Sequence, residues 1–346
     1  MTSFLEREIA EQPAVAARLL DRLLPRLDEL RAHLTDRGAE QVLLVARGSS
    51  DNAARYAQYL WQTGPGVTVT LAAPSLTTVY ARPLDLRRHA VVAVSQSGRS
   101  PDVVAVVEQA RAAGRPTLAV TNDPASPLAE AAELVLDLGA GEERSVAATK
   151  TYTASVLALA VLGCALGEPG ALPVDDLRRV PDALDAAVIG ATGVEAAAAL
   201  MASVDRAVCV GRGLNLSTAH ETALKVTELT GTLVAPFSPA DLMHGPVAAV
   251  GPQAPALLVA PDEPASASVL EAVPELRRRG APVVVLGSGP QQDVLVVGLP
   301  DTASLPGWLT PLTSVVLGQQ VAWRAAVRRG VDVDRPGDLS KVTLTR

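Results

Sequence analysis

Lysine is scarce in this chain of 346 residues: Lys150, Lys225 and Lys341 are three of its 30 basic residues, and the rest are arginines. Scarcity makes each one informative, because a guanidinium stays protonated whereas a buried ammonium can release its proton and act as base or imine-forming nucleophile. For any one lysine alone, an Arg-rich and Ala-rich coding bias is the favoured explanation; what tells against it is the company each one keeps. Aromatic residues make up only 3%, so the cores must be built from Ala, Val and Leu, a composition that suits helices packed on a parallel sheet. The two cysteines, Cys164 and Cys209, both sit in apolar stretches, where a reduced core thiol is expected rather than a disulfide or a metal ligand. His33, His89, His220 and His244 form no metal-ligand spacing, so neither a metal nor a cofactor is expected. A formal net charge of -7 offers no basic footprint for nucleic acid or for an anionic membrane. The longest apolar run, Ala154 to Leu166, is too short to cross a bilayer. The opening Met1-Thr2-Ser3-Phe4-Leu5-Glu6-Arg7-Glu8 lacks the basic and then apolar regions of a signal peptide, which predicts a cytoplasmic protein.

What is present is material for two cores, since 48% of the chain is hydrophobic. Strand-like runs at Val42 to Val45, Ala90 to Val94, Thr117 to Val120 and Leu134 to Leu138 alternate with stretches of helical spacing, which predicts parallel strands. Val42, Val91 and Thr117 have counterparts in Ala207, Ala256 and Pro282, each 165 residues later. A fourth pair, Leu134 and Val294, slips by a few residues. Chance similarity among Val-rich strands explains three equal offsets poorly, so two copies of one doubly wound α/β unit are predicted. The boundaries read as N-terminal helices over 1–34, a first unit over 35–170, a second over 190–329 and a tail over 330–346. Pro13 and Pro25 divide the first of these segments. A Pro- and Gly-bearing stretch around Gly167 to Pro181 joins the units.

The first strand runs into Ala46-Arg47-Gly48-Ser49-Ser50-Asp51-Asn52, and the next into Ser95-Gln96-Ser97-Gly98-Arg99-Ser100. Small hydroxyl-rich turns between strand and helix present N–H and O–H donors at the positive end of a helix, which suits phosphate. Either turn alone serves equally well as an ordinary helix start; at neighbouring carboxyl edges the two can surround one anion. No Gly-x-Gly-x-x-Gly follows the first strand, which disfavours a dinucleotide, and Gly211-Arg212-Gly213 is a lone glycine pair.

In the second copy, Thr218 with Glu221 reads as a capping box. Glu221, Lys225 and Glu228 then fall on one helix face, either as a solvated ion-pair stripe or as a carboxylate base tuned by an ammonium. Downstream, His244 precedes Gly245-Pro246, placed for proton transfer near neutral pH; a core histidine is the alternative.

Ser95-Gln96-Ser97-Gly98, Val146-Ala147-Ala148-Thr149-Lys150, Glu221 to Glu228, His244-Gly245-Pro246 and Asp332-Val333-Asp334-Arg335-Pro336 through Lys341, in order along essentially the whole chain, closely resemble the tandem sugar isomerase (SIS) half of glucosamine-6-phosphate synthase. Carried over residue by residue, the resemblance implies that Ser50, Ser95, Gln96, Ser97 and Ser100 hold a substrate phosphate, with Ser49 and Val146 beside them. It implies that Glu228 moves the proton between C1 and C2, and that His244 opens the ring from a neighbouring subunit of a homodimer. Lys341 would contact the open-chain sugar or form an imine with it, with Lys225 and Glu221 in support. Lys150 matches the pattern without an evident chemical role, and a structural one is expected.

The synthase also carries a glutaminase half with an N-terminal cysteine, whereas this sequence opens Met1-Thr2. The expected reaction is therefore amino-sugar phosphate deamination, as in the second type of glucosamine-6-phosphate deaminase, which shares the fold. Met243 stands where the synthase has lysine, and Ala235-Pro236-Phe237 lacks a usual acidic residue. Both departures keep a fructosamine-6-phosphate deglycase or another phosphosugar isomerase open. A non-catalytic sugar-phosphate sensor is a further alternative, though such sensors need no Glu, His and Lys set.

Overall fold

The Val- and Ala-rich runs form two five-stranded, all-parallel sheets in the computed structural model of this chain, which describes residues 2–168, 170–288 and 293–341. The first sheet holds β1 (Gln41–Ala46), β2 (Thr68–Leu71), β3 (His89–Val94), β4 (Thr117–Thr121) and β5 (Leu134–Asp137), in the order β2-β1-β3-β4-β5. The second holds β6 (Arg206–Val210), β7 (Leu233–Phe237), β8 (Ala256–Ala260), β9 (Val283–Gly287) and β10 (Leu295–Val297), in the matching order β7-β6-β8-β9-β10. The predicted α/β class with two doubly wound units is what the chain adopts.

Among the helices, α1 (Phe4–Ala10), α2 (Gln12–Leu23) and α3 (Leu27–Leu34) precede the first sheet. Pro13 sits in the first turn of α2 and Pro25 in a 3-10 turn before α3, where a missing N–H does no harm. The crossovers and closing elements used below are α4 (Gly48–Thr63), α5 (Pro101–Ala112), α6 (Lys150–Leu166), α7 (Leu216–Thr230), α8 (Pro239–Met243) and α9 (Thr310–Arg328).

Contacts divide the chain into two units. One, with the first sheet, comprises Ala14–Glu142 and Lys150–Arg178; the other, with the second sheet, comprises the residues up to Pro13, Glu143–Thr149 and Arg179–Lys341. The segment before residue 35 is thus split between the units. Within the first unit, Leu43, Val45, Val91 and Ala93 pack against Val103, Val106 and Val107 of α5. On α4, the fully buried Trp61 donates its indole N–H to the Leu159 carbonyl of α6 at 2.9 Å, so its apolar body and its polar tip are both satisfied. Within the second, Val226 and Leu229 of α7 join Leu317 and Val321 of α9 over Cys209, Leu257 and Val284 of the sheet. Strands buried on both faces read as continuous apolar runs, which is why most of them were visible in the sequence. The predicted tail is described as far as Lys341; its last five residues lie outside the described ones.

Candidate functional site

In the first sheet the chain leaves β1 toward β2 on one side and leaves β3 toward β4 on the other. The turns after β1 and β3 therefore diverge, and such a switch point is where open α/β sheets receive ligands. Both predicted hydroxyl-rich turns lie there. After β1, Ser49 and Ser50 occupy the first turn of α4, both half-buried. After β3, Ser95 is buried while Gln96, Ser97 and Ser100 are half-buried. The second turn is held by its own side chains: the Ser95 hydroxyl accepts from Gly98 N–H at 3.2 Å and the Ser97 hydroxyl from Arg99 N–H at 3.3 Å. Gly98 has φ +62°, and a Cβ there would fall 2.0 Å from the Ser126 hydroxyl oxygen, so only glycine fits. Ser100 is the N-cap residue of α5, yet its hydroxyl makes no capping bond.

Two residues of this region were not singled out from the sequence. Arg47, the N-cap residue of α4, reaches across to Asp102 in the first turn of α5: Nε lies 2.7 Å and Nη2 2.6 Å from Oδ2. The Asp102 side chain is 2% exposed and that of Arg47 47%. A lone arginine before a serine turn carries no periodic signal that would have marked it.

In the second unit the helix α7 starts earlier than expected. Asn215 is its N-cap residue, so Thr218 lies inside the first turn, its hydroxyl donating to Asn215 Oδ1 at 3.0 Å. The capping-box reading is thereby corrected, and Glu221 is freed from that structural explanation. The helix ends at Gly231, which takes φ +73° and returns its N–H to the Thr227 carbonyl. Along one face stand Glu221, 0% exposed, and Lys225, 1% exposed. Lys225 Nζ lies 3.5 Å from Glu221 Oε1 and 2.5 Å from Glu228 Oε2, and the Glu228 side chain is 25% exposed. This is no solvated stripe, because two of the three charges have left water entirely. Burial is the largest single influence on Lys225 and favours the neutral amine. The carboxylates of Glu221, Glu228 and Glu143 outweigh it and hold the ammonium above the ordinary lysine range.

The segment Glu143–Thr149 was legible only in part. Glu143 has a fully buried side chain, and its two oxygens accept from Lys341 Nζ at 2.6 Å and from Thr149 N–H at 2.9 Å. Lys341 also donates to the Ser145 carbonyl at 2.8 Å, one residue before the half-buried Val146. From the other side, Glu8 of α1 accepts from Arg144 N–H at 2.5 Å and from Ser145 N–H at 3.2 Å. Burial pushes the Glu8 carboxyl up, while those bonds, with the Arg144 amide the strongest of them, pull it down less than burial raises it. The Asp334 carboxylate takes the N–H groups of Phe4 and Leu5 at 2.9 Å each, tying the approach to Lys341 onto the start of α1.

The structure thus brings together Glu221, Lys225 and Glu228, and joins Lys341 to Glu143, a carboxylate that also acts on Lys225. His244 is not a core histidine. It is exposed at the C-cap of α8, its backbone N–H bonded to the carbonyls of Ala240 and Asp241. Lys150 is 3% exposed at the start of α6. Cys209 is buried and Cys164 half-buried, and burial pushes the thiol of Cys164 up to about 12 and that of Cys209 higher still. Among the described residues no group of three or more His, Cys, Asp or Glu is arranged to hold a metal ion, and no helix is long and apolar enough to cross a membrane.

Comparison with known proteins places the fold. The chain is 32% identical to glutamine–fructose-6-phosphate aminotransferase (isomerizing) from Symbiobacterium thermophilum, over 98% of this chain and 58% of that protein. It is 30% identical to the enzyme of the same name from Methanothermobacter thermautotrophicus, over 98% and 57%. The chain therefore spans a little more than half the length of these curated relatives. A crystal structure from Silicibacter pomeroyi DSS-3 superposes with a TM-score of 0.86 at 33% identity, covering 96% of this chain and all of that one. Glucosamine-6-phosphate deaminase from Thermotoga maritima shares the fold, with a TM-score of 0.76 at 19% identity over 99% of this chain and all of that one. The SIS domain model matches twice, at residues 37–165 and 200–294, once on each sheet, and the chain belongs to the SIS domain family.

Proposed function

We propose that this chain interconverts amino- and keto-hexose 6-phosphates by moving a proton between C1 and C2 of an open-chain sugar. In its most concrete form the reaction takes glucosamine 6-phosphate and water to fructose 6-phosphate and ammonia. The observation that carries the reading is the grading of exposure along α7: Glu221 and Lys225 are sealed, and Glu228 alone of the three keeps part of its side chain exposed. A general base needs access to its substrate and a fixed charge behind it, and Glu228 has both. In this reading Glu228 takes the proton from one carbon and returns it to the next, with Lys225 and Glu221 supporting it. Ser49, Ser50, Ser95, Gln96, Ser97, Ser100 and the backbone at Val146 hold the phosphate and the near end of the sugar. His244 passes a proton between ring oxygen and hydroxyl to open the ring, reaching in from the second subunit of a homodimer. Lys341 contacts the open-chain carbonyl or condenses with it.

The names of the related proteins support a sugar-phosphate substrate, since the curated relatives are named for fructose 6-phosphate. The test is ammonia release by the purified protein from a panel of hexosamine phosphates, with deamination of glucosamine 6-phosphate expected; silence across the panel removes this reading. A second reading rests on Met243, which is 40% exposed immediately before His244. An apolar, uncharged neighbour there suits a bulkier leaving amine, as in a 6-phosphorylated fructosamine. Release of an amino acid from that substrate, without ammonia from glucosamine 6-phosphate, would favour it.

A further inference from the structure

Besides hydroxyls and an amide, the two predicted phosphate turns carry one arginine each, Arg47 and Arg99, and a phosphoryl dianion is bound most firmly where charge-assisted donors are present. Arg99 is exposed and pairs with Asp123 at 3.0 Å, outside both turns. Arg47 stands at this point of the first sheet. Its backbone begins the turn after β1, and its guanidinium lies 2.7 Å from a carboxylate in the first turn of α5, two residues beyond Ser100. The cation therefore bridges the two turns at the switch point. Its partner Asp102 is buried, and the other oxygen of Asp102 accepts from Val103 N–H at 2.9 Å, which fixes the carboxylate in place. A guanidinium has five N–H donors in a rigid fork, and both nitrogens used here meet the same oxygen. Nearly half of the Arg47 side chain stays exposed, so donors remain for a ligand.

We propose that Arg47, oriented by Asp102, is the cationic anchor of the phosphate cradle: it spaces the turns carrying Ser49-Ser50 and Ser95-Gln96-Ser97 and donates to the phosphate between them. This rests on the sugar-phosphate reading above and adds to it a residue that the family resemblance did not supply. Asp102 is a positioning residue, acting through Arg47.

Calorimetric titration with inorganic phosphate and with fructose 6-phosphate tests the assignment without requiring turnover. Losing one charge-assisted contact in Arg47→Met should weaken both ligands by about tenfold or more, with KM raised and kcat little changed. Asp102→Asn, which keeps the shape and releases the fork, should weaken them by a smaller factor. A folded Arg47→Met variant with unaltered affinity would overturn the proposal, since a merely structural pair would lower the melting temperature and leave affinity alone. Should that variant fail to fold, Arg47→Gln carries the test: it removes the charge and keeps a polar side chain, and undiminished affinity there overturns the proposal equally. A wild-type chain that binds neither ligand removes the sugar-phosphate reading itself, whereas binding that ignores position 47 removes only this inference.

Discussion

The ammonium of Lys341 lies 2.6 Å from a carboxylate oxygen of Glu143, a side chain fully buried and 198 residues earlier in sequence. The pair fastens the end of the described chain to a segment that Glu8 grips from the opposite side. Removing Glu143 should therefore act on the tail before it acts on the fold. In Glu143→Ala the Thr149 N–H also loses its acceptor, a loss of about 1–3 kcal/mol for a buried donor. Glu143→Gln keeps that bond and removes the charge. Hydrogen exchange should quicken over residues 332–341 in both variants, with turnover down by about tenfold or more, as expected when a reacting group is misplaced. Unchanged exchange in the tail would show that other contacts hold it.

Glu228 supplies a second prediction. Glu228→Gln preserves size and should leave fructose 6-phosphate binding nearly intact while lowering turnover by about 100-fold or more, the usual contribution of a general base. Equal turnover would reduce this glutamate to a structural partner of Lys225.

Gly98 is the most confined position of the serine turns. An added methyl would meet Ser126, and φ +62° is itself unfavourable for any side chain. Gly98→Ala should destabilise the chain by more than about 1 kcal/mol and raise KM for a sugar phosphate. Denaturant unfolding and steady-state kinetics measure the two effects. A variant as stable as the parent would mean that the turn relaxes freely.

The buried ammonium gives a dependence on pH. Folding raises Lys225 above its ordinary value of 10.5. A group raised in this way contributes fully below its unfolded value, and the contribution is lost as pH climbs through the folded one. Lys225→Met should be much less stable than the parent near neutral pH, and the gap should narrow once pH passes the ordinary lysine value. Denaturant midpoints across that range decide the matter; a constant gap would mean that the ammonium adds nothing electrostatic.

Much of this architecture is legible in the sequence for a simple reason: strands covered on both faces must be apolar throughout, so β1, β3, β4, β6, β8 and β9 announce themselves. Of the edge strands, β5 and β10 show in the runs at Leu134 and Val294, but β2 and β7 do not. β2 reads Thr-Val-Thr-Leu with its threonines exposed, and β7 contains Pro236, which only an edge tolerates. The helix carrying Glu221, Lys225 and Glu228 is evident from spacing, but its burial is not, because the same spacing describes a wet surface. Its true cap, Asn215, competes in sequence with Thr218, and either residue type is suited to the position. Glu143 and Arg47 remained hidden because their partners lie 198 and 55 residues away, and no local pattern records a pairing at that range.

The burial of Lys150 and Lys225 has a practical consequence for chemical labelling. Of the three lysines, only Lys341 meets solvent appreciably, so an acylating dye or a reducing sugar that modifies ε-amines on the folded chain will settle on one side chain. A fluorophore delivered by amine chemistry, with the more acidic α-amino group blocked beforehand, would sit at the latch itself and report its opening, with no cysteine engineering required.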